Sequence, residues 1–243
     1  MIDAKGKWAL ITGASRGIGK ELAIFMAEQG CGLIIQSRKK SNSDEVADIL
    51  RSKGVAVHQV EAELSDMNSV EKMLSVIDDL KVDVDIVFNN AGIQPGYRQD
   101  YFSTPDSDYE ISFLVNTIAP MKICYHFIPK MLKRGFGRVV NTTSGIQKEP
   151  EQAGYSAGKA ALDKVTMDLQ TKLVGKNVIL SLVDPGWCRT DMGGSQAPND
   201  PKSALPGVAL GAFLETAANV KMISAQEYSG MELVEAISRL EAK

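Results

Sequence analysis

The chain has 243 residues, 44% of them hydrophobic and 23% charged, with a formal net charge of −3; that is enough to bury one ample core and too little for a second full domain. Lys and Arg are spread along the sequence instead of gathered into a basic stripe, so neither nucleic acid nor a membrane surface is expected as a partner. Cys31, Cys124 and Cys188 lie far apart without a CxxC or His–Cys cluster, which excludes a disulfide framework and leaves no metal site to assign.

In chain order, the strand-like KWALIT starts almost at Met1, which leaves no room for a secretory signal. No uninterrupted apolar run approaches the roughly 18 residues of a membrane span, and a cytoplasmic location is expected. A helix over Ile18–Gln29 follows, then CGLIIQS, a helix over Asp44–Ser52, VAVHQV, a helix over Ser69–Leu80, and VDIVFNN. Two helical stretches reach Lys133, followed by GRVVNTT, a helix from Tyr155 to Val174, VILSLVD, and a short seventh strand at SGMELV. Continuous apolar strands, each followed by a crossover helix, predict a single α/β domain over residues 1–243. Its core is a Rossmann-type doubly wound parallel sheet of about seven strands with helices on both faces.

Two stretches rich in Gly and Pro break the alternation, NAGIQPGYRQDYFSTPD and DPGWCRTDMGGSQAPNDPKSALPG. Both follow strand C-termini, where open α/β sheets bind ligands, so they are expected to form the walls of a site and a lid over about residues 186–207.

The turn after the first strand reads Gly13-x-x-x-Gly17-x-Gly19 and opens a helix. The free amides of a helix N-terminus suit a pyrophosphate, and side chains at 17 and 19 would obstruct it. Taken alone, the same glycines also fit a plain tight βα turn. The second strand ends in Ser37 and Arg38, where a carboxylate would grip the ribose hydroxyls of NAD and an arginine would accommodate a 2′-phosphate. With Arg16 in the glycine turn as a second cation, this favours NADP over NAD; two solvated surface arginines would read the same way.

Further on, Tyr155 and Lys159 stand at i and i+4 of one helix. A phenol with a pKa near 10 moves a proton at neutral pH only when its anion is stabilised, and an ammonium one turn away does that. Thr142, Thr143 and Ser144 bring hydroxyls to the end of the preceding strand, able to donate to a carbonyl oxygen as it gains charge. Each feature has a bland counterpart, an amphipathic helix edge and a Thr-rich strand end respectively.

Together with NNAG at Asn89–Gly92, Asn116 in FLVN and the Pro185–Gly186 pair, these motifs occur in order over nearly the whole chain, and the sequence resembles the short-chain dehydrogenase/reductase family. The resemblance implies Tyr155 as general acid/base, Lys159 lowering its pKa and holding the nicotinamide ribose, Ser144 orienting the substrate oxygen, and Asn116 placing a water behind Lys159. It implies cofactor contacts from Gly13, Ser15, Arg16, Gly17, Ile18, Gly19, Ser37 and Arg38. Glu63 and Leu64 would line the adenine pocket, Asn90, Ala91 and Gly92 the adenosine ribose, and Pro185, Gly186 and Thr190 the nicotinamide end.

The sequence departs from the family's pattern in several places. Ser144 lies two residues closer to Tyr155 than the usual spacing, whereas Thr142 has that spacing; counting along the strand from Arg138 selects Ser144 and makes GIQKEPEQAG a shortened substrate loop. Glu63 stands where Asp is more common, Gly158 where Ser is, and the C-terminal tail lacks the usual seventh-strand signature. The stretch from Pro185 to Gly194 is similar to carbonyl-reductase-like members. The expected activity is NADP-dependent interconversion of a carbonyl and an alcohol. A 3-ketoacyl-acyl-carrier-protein-type reductase and a non-catalytic NADP sensor are the alternatives. Trp187, Met192, Tyr97, Tyr101 and Phe102 suggest an apolar or aromatic carbonyl substrate. Kinship implies a homodimer or homotetramer paired through helices near 118–133 and 155–174.

Overall fold

Seven short apolar runs are strands: β1 Trp8–Ile11, β2 Gly32–Ser37, β3 Val57–Glu61, β4 Val84–Asn89, β5 Gly137–Thr142, β6 Val178–Asp184 and β7 Ile223–Ser224. They form one parallel sheet in the order β3-β2-β1-β4-β5-β6-β7, in a computed structural model that describes residues 1–218 and 221–243. The crossovers include helices α1 Gly17–Glu28, α2 Asp44–Ser52, α3 Met67–Asp79, α4 Asp106–Phe113, α5 Ala119–Arg134 and α6 Ala153–Gln170, and the chain closes with α7 Leu233–Glu241. This is the doubly wound Rossmann-type architecture expected.

Alternation along the strands splits the core in two. Leu10, Ile34, Val87, Val139 and Leu180 point to the face covered by α3, α5 and α6. Ile11, Leu33, Ile35, Phe88 and Val140 point to the face covered by α1, α2, α7 and the segment around Val208–Leu214. Full burial of each such side chain stabilises the fold by about 1.5–3 kcal/mol, so both faces, and hence the strand register, are strongly specified. The strand order reverses at β1, between β2 and β4, and the crevice outside the C-terminal ends of those strands is where such sheets take ligands.

Two expectations are corrected. The seventh strand is not SGMELV at residues 229–234 but Ile223–Ser224, which pairs with Val183 and Asp184. Gly230, at φ +75°, breaks extended backbone inside SGMELV, and the segment instead turns into α7, whose Ala236, Ile237 and Leu240 face the core. Secondly, the continuous helical stretch Asp106–Arg134 is long and apolar enough to cross a membrane although no single run suggested it. Of its apolar window 61% is buried inside the fold, as in a core helix.

Candidate active site

Thr12 and the glycine turn leave β1 and enter α1. Gly13 and Gly17 hold φ of +67° and +55°, and a Cβ on Gly19 would stand 2.2 Å from the Gly13 carbonyl oxygen. Glycine is therefore required here by the turn itself. The turn is braced from below: the Gly13 N–H donates to Gln36 Oε1 at 3.0 Å, and Gln36 Nε2 donates to the Ala62 carbonyl. Asn90 Nδ2 donates to the Thr12 carbonyl at 3.0 Å, and the Asn90 and Ala91 N–H groups donate to Thr12 Oγ1. The Asn90 side chain thus fixes the turn, while Ala91 backs Gly13 and Gly92 opens toward the catalytic groups. Ser15 and Ile18 lie partly exposed on either side of the α1 N-terminus.

At the end of β2 the two expected residues diverge. Ser37 is buried and donates to the Lys39 carbonyl at 2.7 Å, so its hydroxyl is committed inward. Arg38, Lys39 and Lys40 are exposed together. Arg16 does not join them: its guanidinium pairs at 2.8 Å with Asp191 of the lid, both groups being largely in solvent. Glu63 is exposed and accepts from the Ser65 N–H and hydroxyl, whereas Leu64 is buried beside it.

The third cluster forms where β5 meets the start of α6. Ser144 Oγ accepts from the Ile146 N–H at 3.3 Å and lies beside the Tyr155 phenol, Lys159 Nζ donates to the Thr142 carbonyl at 2.8 Å, and Thr143 Oγ1 donates to Asp163 Oδ1. Thr142 meets Lys159 through its backbone, and Ser144 is the residue whose hydroxyl faces the phenol. Lys159 is only 4% exposed. Burial draws its ammonium down to about 8, against the pull of Asp163 and Asp184. The phenol is held above its ordinary value, chiefly by burial, with Ser144 drawing it down and Asp184 pushing it up. Lys159 Nζ is turned to the Thr142 carbonyl and lies 5.9 Å from the centroid of the phenol ring.

Asn116 is completely buried in a π-helical turn, Leu114–Ile118, between α4 and α5, the kind of local widening that accompanies functional sites. Its amide accepts from the Ile93 N–H and donates to the Ile93 carbonyl and Ser112 Oγ. A Cβ on Gly92 would stand 3.2 Å from Asn116 Oδ1 and 3.5 Å from Lys159 Nζ, which brings the three residues together. Above them, Gln226 Nε2 donates to the Pro185 carbonyl and the Gly186 N–H donates to Asp184 Oδ1. The lid closes on itself, with the Arg189 N–H on the Asn199 carbonyl and Trp187 Nε1 on the Gly193 carbonyl. Thr190 reaches back to the glycine turn, its Cγ2 3.0 Å from where a Gly17 Cβ would be.

Asp163, Asp184 and Gln36 belong to this site and escaped sequence reasoning. Asp163 had a usable signal, since it falls one further turn along the helix face of Tyr155 and Lys159. Gln36 is partnered with Gly13 and Ala62 across strands, which no local spacing announces, and Asp184, though bonded to the nearby Gly186 N–H, is brought toward Gly145 only by the pairing of β5 and β6.

Residues 7–201 match a family model described as short chain dehydrogenase. The 3-oxoacyl-[acyl-carrier-protein] reductase FabG of Aquifex aeolicus is 34% identical over 79% of this chain and 77% of its own length. Oxidoreductase UcpA of Salmonella typhimurium is 32% identical over 84% of this chain and 79% of its own length. Among solved structures, a short chain dehydrogenase from Pseudomonas syringae shares the fold with a TM-score of 0.83 at 22% identity, covering 92% of this chain and 96% of that one. A metagenomic short-chain oxidoreductase in complex with NADP does so with a TM-score of 0.79 at 22% identity, covering 92% and 98%.

Proposed function

The chain belongs to the short-chain dehydrogenase/reductase family of oxidoreductases, and from that premise we propose that it interconverts a carbonyl compound and an alcohol with NADP as cofactor. The observation that carries this reading is the cluster of phenol, hydroxyl and ammonium at the end of β5, with Tyr155, Ser144 and Lys159 meeting beside Asn116 and Gly92.

The residues fit a dinucleotide. A Cβ at Gly13, Gly17 or Gly19 would crowd Ala91, Thr190 or the Gly13 carbonyl, so the backbone stays bare at the α1 N-terminus, where amides of Ser15, Gly17 and Ile18 suit a pyrophosphate. Exposed Arg38 suits a 2′-phosphate, and Pro185, Gly186 and Thr190 border the place for the nicotinamide. Bound there, the cofactor supplies or accepts the hydride.

Tyr155, with its pKa raised, is protonated at neutral pH and suits proton donation to the oxygen of a carbonyl undergoing reduction. Ser144 donates to that same oxygen as its charge grows. Lys159 offers its ammonium to the phenolate that remains, and Asn116 holds the backbone behind it. Exposed Trp187 and Met192 on the lid, with the Tyr101 and Phe102 rings 4.4 Å apart on the loop after β4, favour an apolar or aromatic carbonyl.

A 3-ketoacyl-acyl-carrier-protein reductase is favoured by one observation, the 34% identity to FabG. Against it, the loops after β4 and β5, joined where the Arg98 N–H donates to the Glu151 carbonyl, expose Asp100 and Glu149 as well as Lys148, and Arg98 is taken up by Asp108, a mixed surface poorly suited to an acidic carrier. For assembly, we propose pairing through α5 and α6 into a homodimer or homotetramer. Ile118, at the end of the π-helical turn, and Tyr125 and Leu132 of α5 support it, since they are exposed at seven-residue intervals along the continuous helical stretch. Three free, buried cysteines suit a reducing, cytoplasmic setting.

NADPH oxidation measured against a panel of aldehydes and ketones tests the reaction. Turnover of at least one apolar or aromatic carbonyl is expected. Tight NADPH binding with nothing reduced would replace the enzyme by an NADP sensor.

A further inference from the structure

Thr142, Thr143 and Ser144 leave β5 in succession, and each is engaged by a different turn of α6. The reaction proposed above uses two of these contacts, Ser144 with Tyr155 and the Thr142 carbonyl with Lys159. The third, from Thr143 Oγ1 to Asp163 Oδ1, it leaves unused. Asp163 is half-buried and follows Lys159 by four residues, so the two side chains share a helix face.

A second carboxylate approaches from the sheet. Asp184, at the end of β6, accepts the Gly186 N–H on Oδ1 at 2.9 Å and turns Oδ2 toward Gly145, where a Cβ would stand 2.7 Å from it. Gly145 thus leaves space for a carboxylate that lies beside the catalytic loop.

Lys159 needs such company. An ammonium that is 4% exposed is costly without negative charge nearby, and its one hydrogen bond goes to a neutral carbonyl. The groups facing it are the Thr142 carbonyl, the Tyr155 ring, Asn116 Oδ1 beyond Gly92, Asp163 on its own helix and Asp184 from β6. Asp163 in turn is faced by Thr143, Lys159, Lys221 and Asp184. Both carboxylates raise the lysine's proton affinity, Asp163 the more strongly, against the burial that lowers it.

We propose that Asp163 and Asp184 are positioning residues that together supply the buried negative charge Lys159 requires, a role that rests on the carbonyl–alcohol reading of the site. Asp163 does so while docking α6 on the strand end, and Asp184 while docking the Pro185–Gly186 turn.

Asp163→Asn is the sharp test, because an amide oxygen still accepts from Thr143 and only the charge is lost. With wild-type enzyme, kcat/KM for NADPH-dependent reduction of a reactive aldehyde is expected to fall above about pH 8, where Lys159 loses its proton. In Asp163→Asn the fall should begin roughly one pH unit lower, a loss of about fivefold at pH 8 that approaches about tenfold above pH 9 and vanishes toward pH 6. Asp163→Asn combined with Asp184→Asn should move it further in the same direction. Independently of turnover, the Lys159 resonance of protein labelled at lysine 13Cε, identified by its disappearance in Lys159→Arg, should titrate at lower pH in the variants. Superimposable pH profiles, an unmoved Lys159 midpoint, or a loss equal at every pH would overturn the proposal. If no carbonyl is reduced by the wild type, the reaction falls, and the resonance titration still decides whether the two carboxylates hold the charge.

Discussion

At the end of β5, Lys159 is 4% exposed, its ammonium is drawn down to about 8 and held on the Thr142 carbonyl, and Thr143 and Asp163 are committed to each other beside it. At the end of β2, on the same edge of the same sheet, Arg38, Lys39 and Lys40 stand in solvent, and Arg16 is tied to an exposed aspartate of the lid. Water makes the difference. Where it is excluded, each charge feels its neighbours strongly and geometry is fixed by packing; where it enters, the same kinds of charges are screened and interchangeable. Substitutions in the buried cluster should therefore be large and indifferent to salt, and those on the rim modest and salt-dependent.

The largest expected effect is Tyr155→Phe, which removes one hydroxyl and little else. A loss on the order of 10³–10⁴-fold in kcat/KM is expected for a missing general acid, with NADPH affinity within a few fold by fluorescence titration. Near-normal turnover would remove the phenol from the chemistry. Next, Ser144→Ala should lower kcat by about 10²–10³-fold, as loss of an oxyanion donor does. Thr142→Ala should stay within roughly tenfold, because Thr142 serves Lys159 through its backbone carbonyl, which alanine keeps. The reverse ranking would show that the spacing to Tyr155, and not the position along the strand, identifies the working hydroxyl.

On the rim, Arg38→Ala should weaken NADPH by about ten- to a hundredfold while leaving NADH almost untouched, as for the loss of one charge-assisted contact. The ratio of kcat/KM for the two cofactors checks it, and a wild type that prefers NADH would refute the 2′-phosphate role. The smallest effect concerns the Arg16–Asp191 pair. Asp191→Ala should tighten NADPH by a few fold at low ionic strength by freeing Arg16, and the gain should vanish near 1 M salt. A salt-independent change would mean that the pair shapes the lid instead of lending charge.

The contrast also shows what could be read in advance. Gly13, Gly17, Gly19, Tyr155 and Lys159 were legible because each motif sits within one turn or one helix, where spacing alone fixes which side chains share a face. Arg16 was assigned to the phosphate rim because sequence cannot show a salt bridge to a residue 175 positions later. The seventh strand was misplaced because two residues of pairing leave almost no periodic signal, whereas SGMELV is apolar enough to imitate one.

By itself the sequence determined the alternation of strands and helices, hence the parallel sheet, its glycine turn and the catalytic helix, since these follow from local conformational preferences and from the period of apolar residues. Only the tertiary structure decided which way the protons sit. Burial raises the Tyr155 phenol and lowers the Lys159 ammonium, and the charges that oppose the burial of Lys159 come from Asp163, held by Thr143, and from Asp184 across two strand ends. Proton affinity depends on depth from solvent and on distance to charges remote in the chain, and neither quantity exists until the sheet has closed around them.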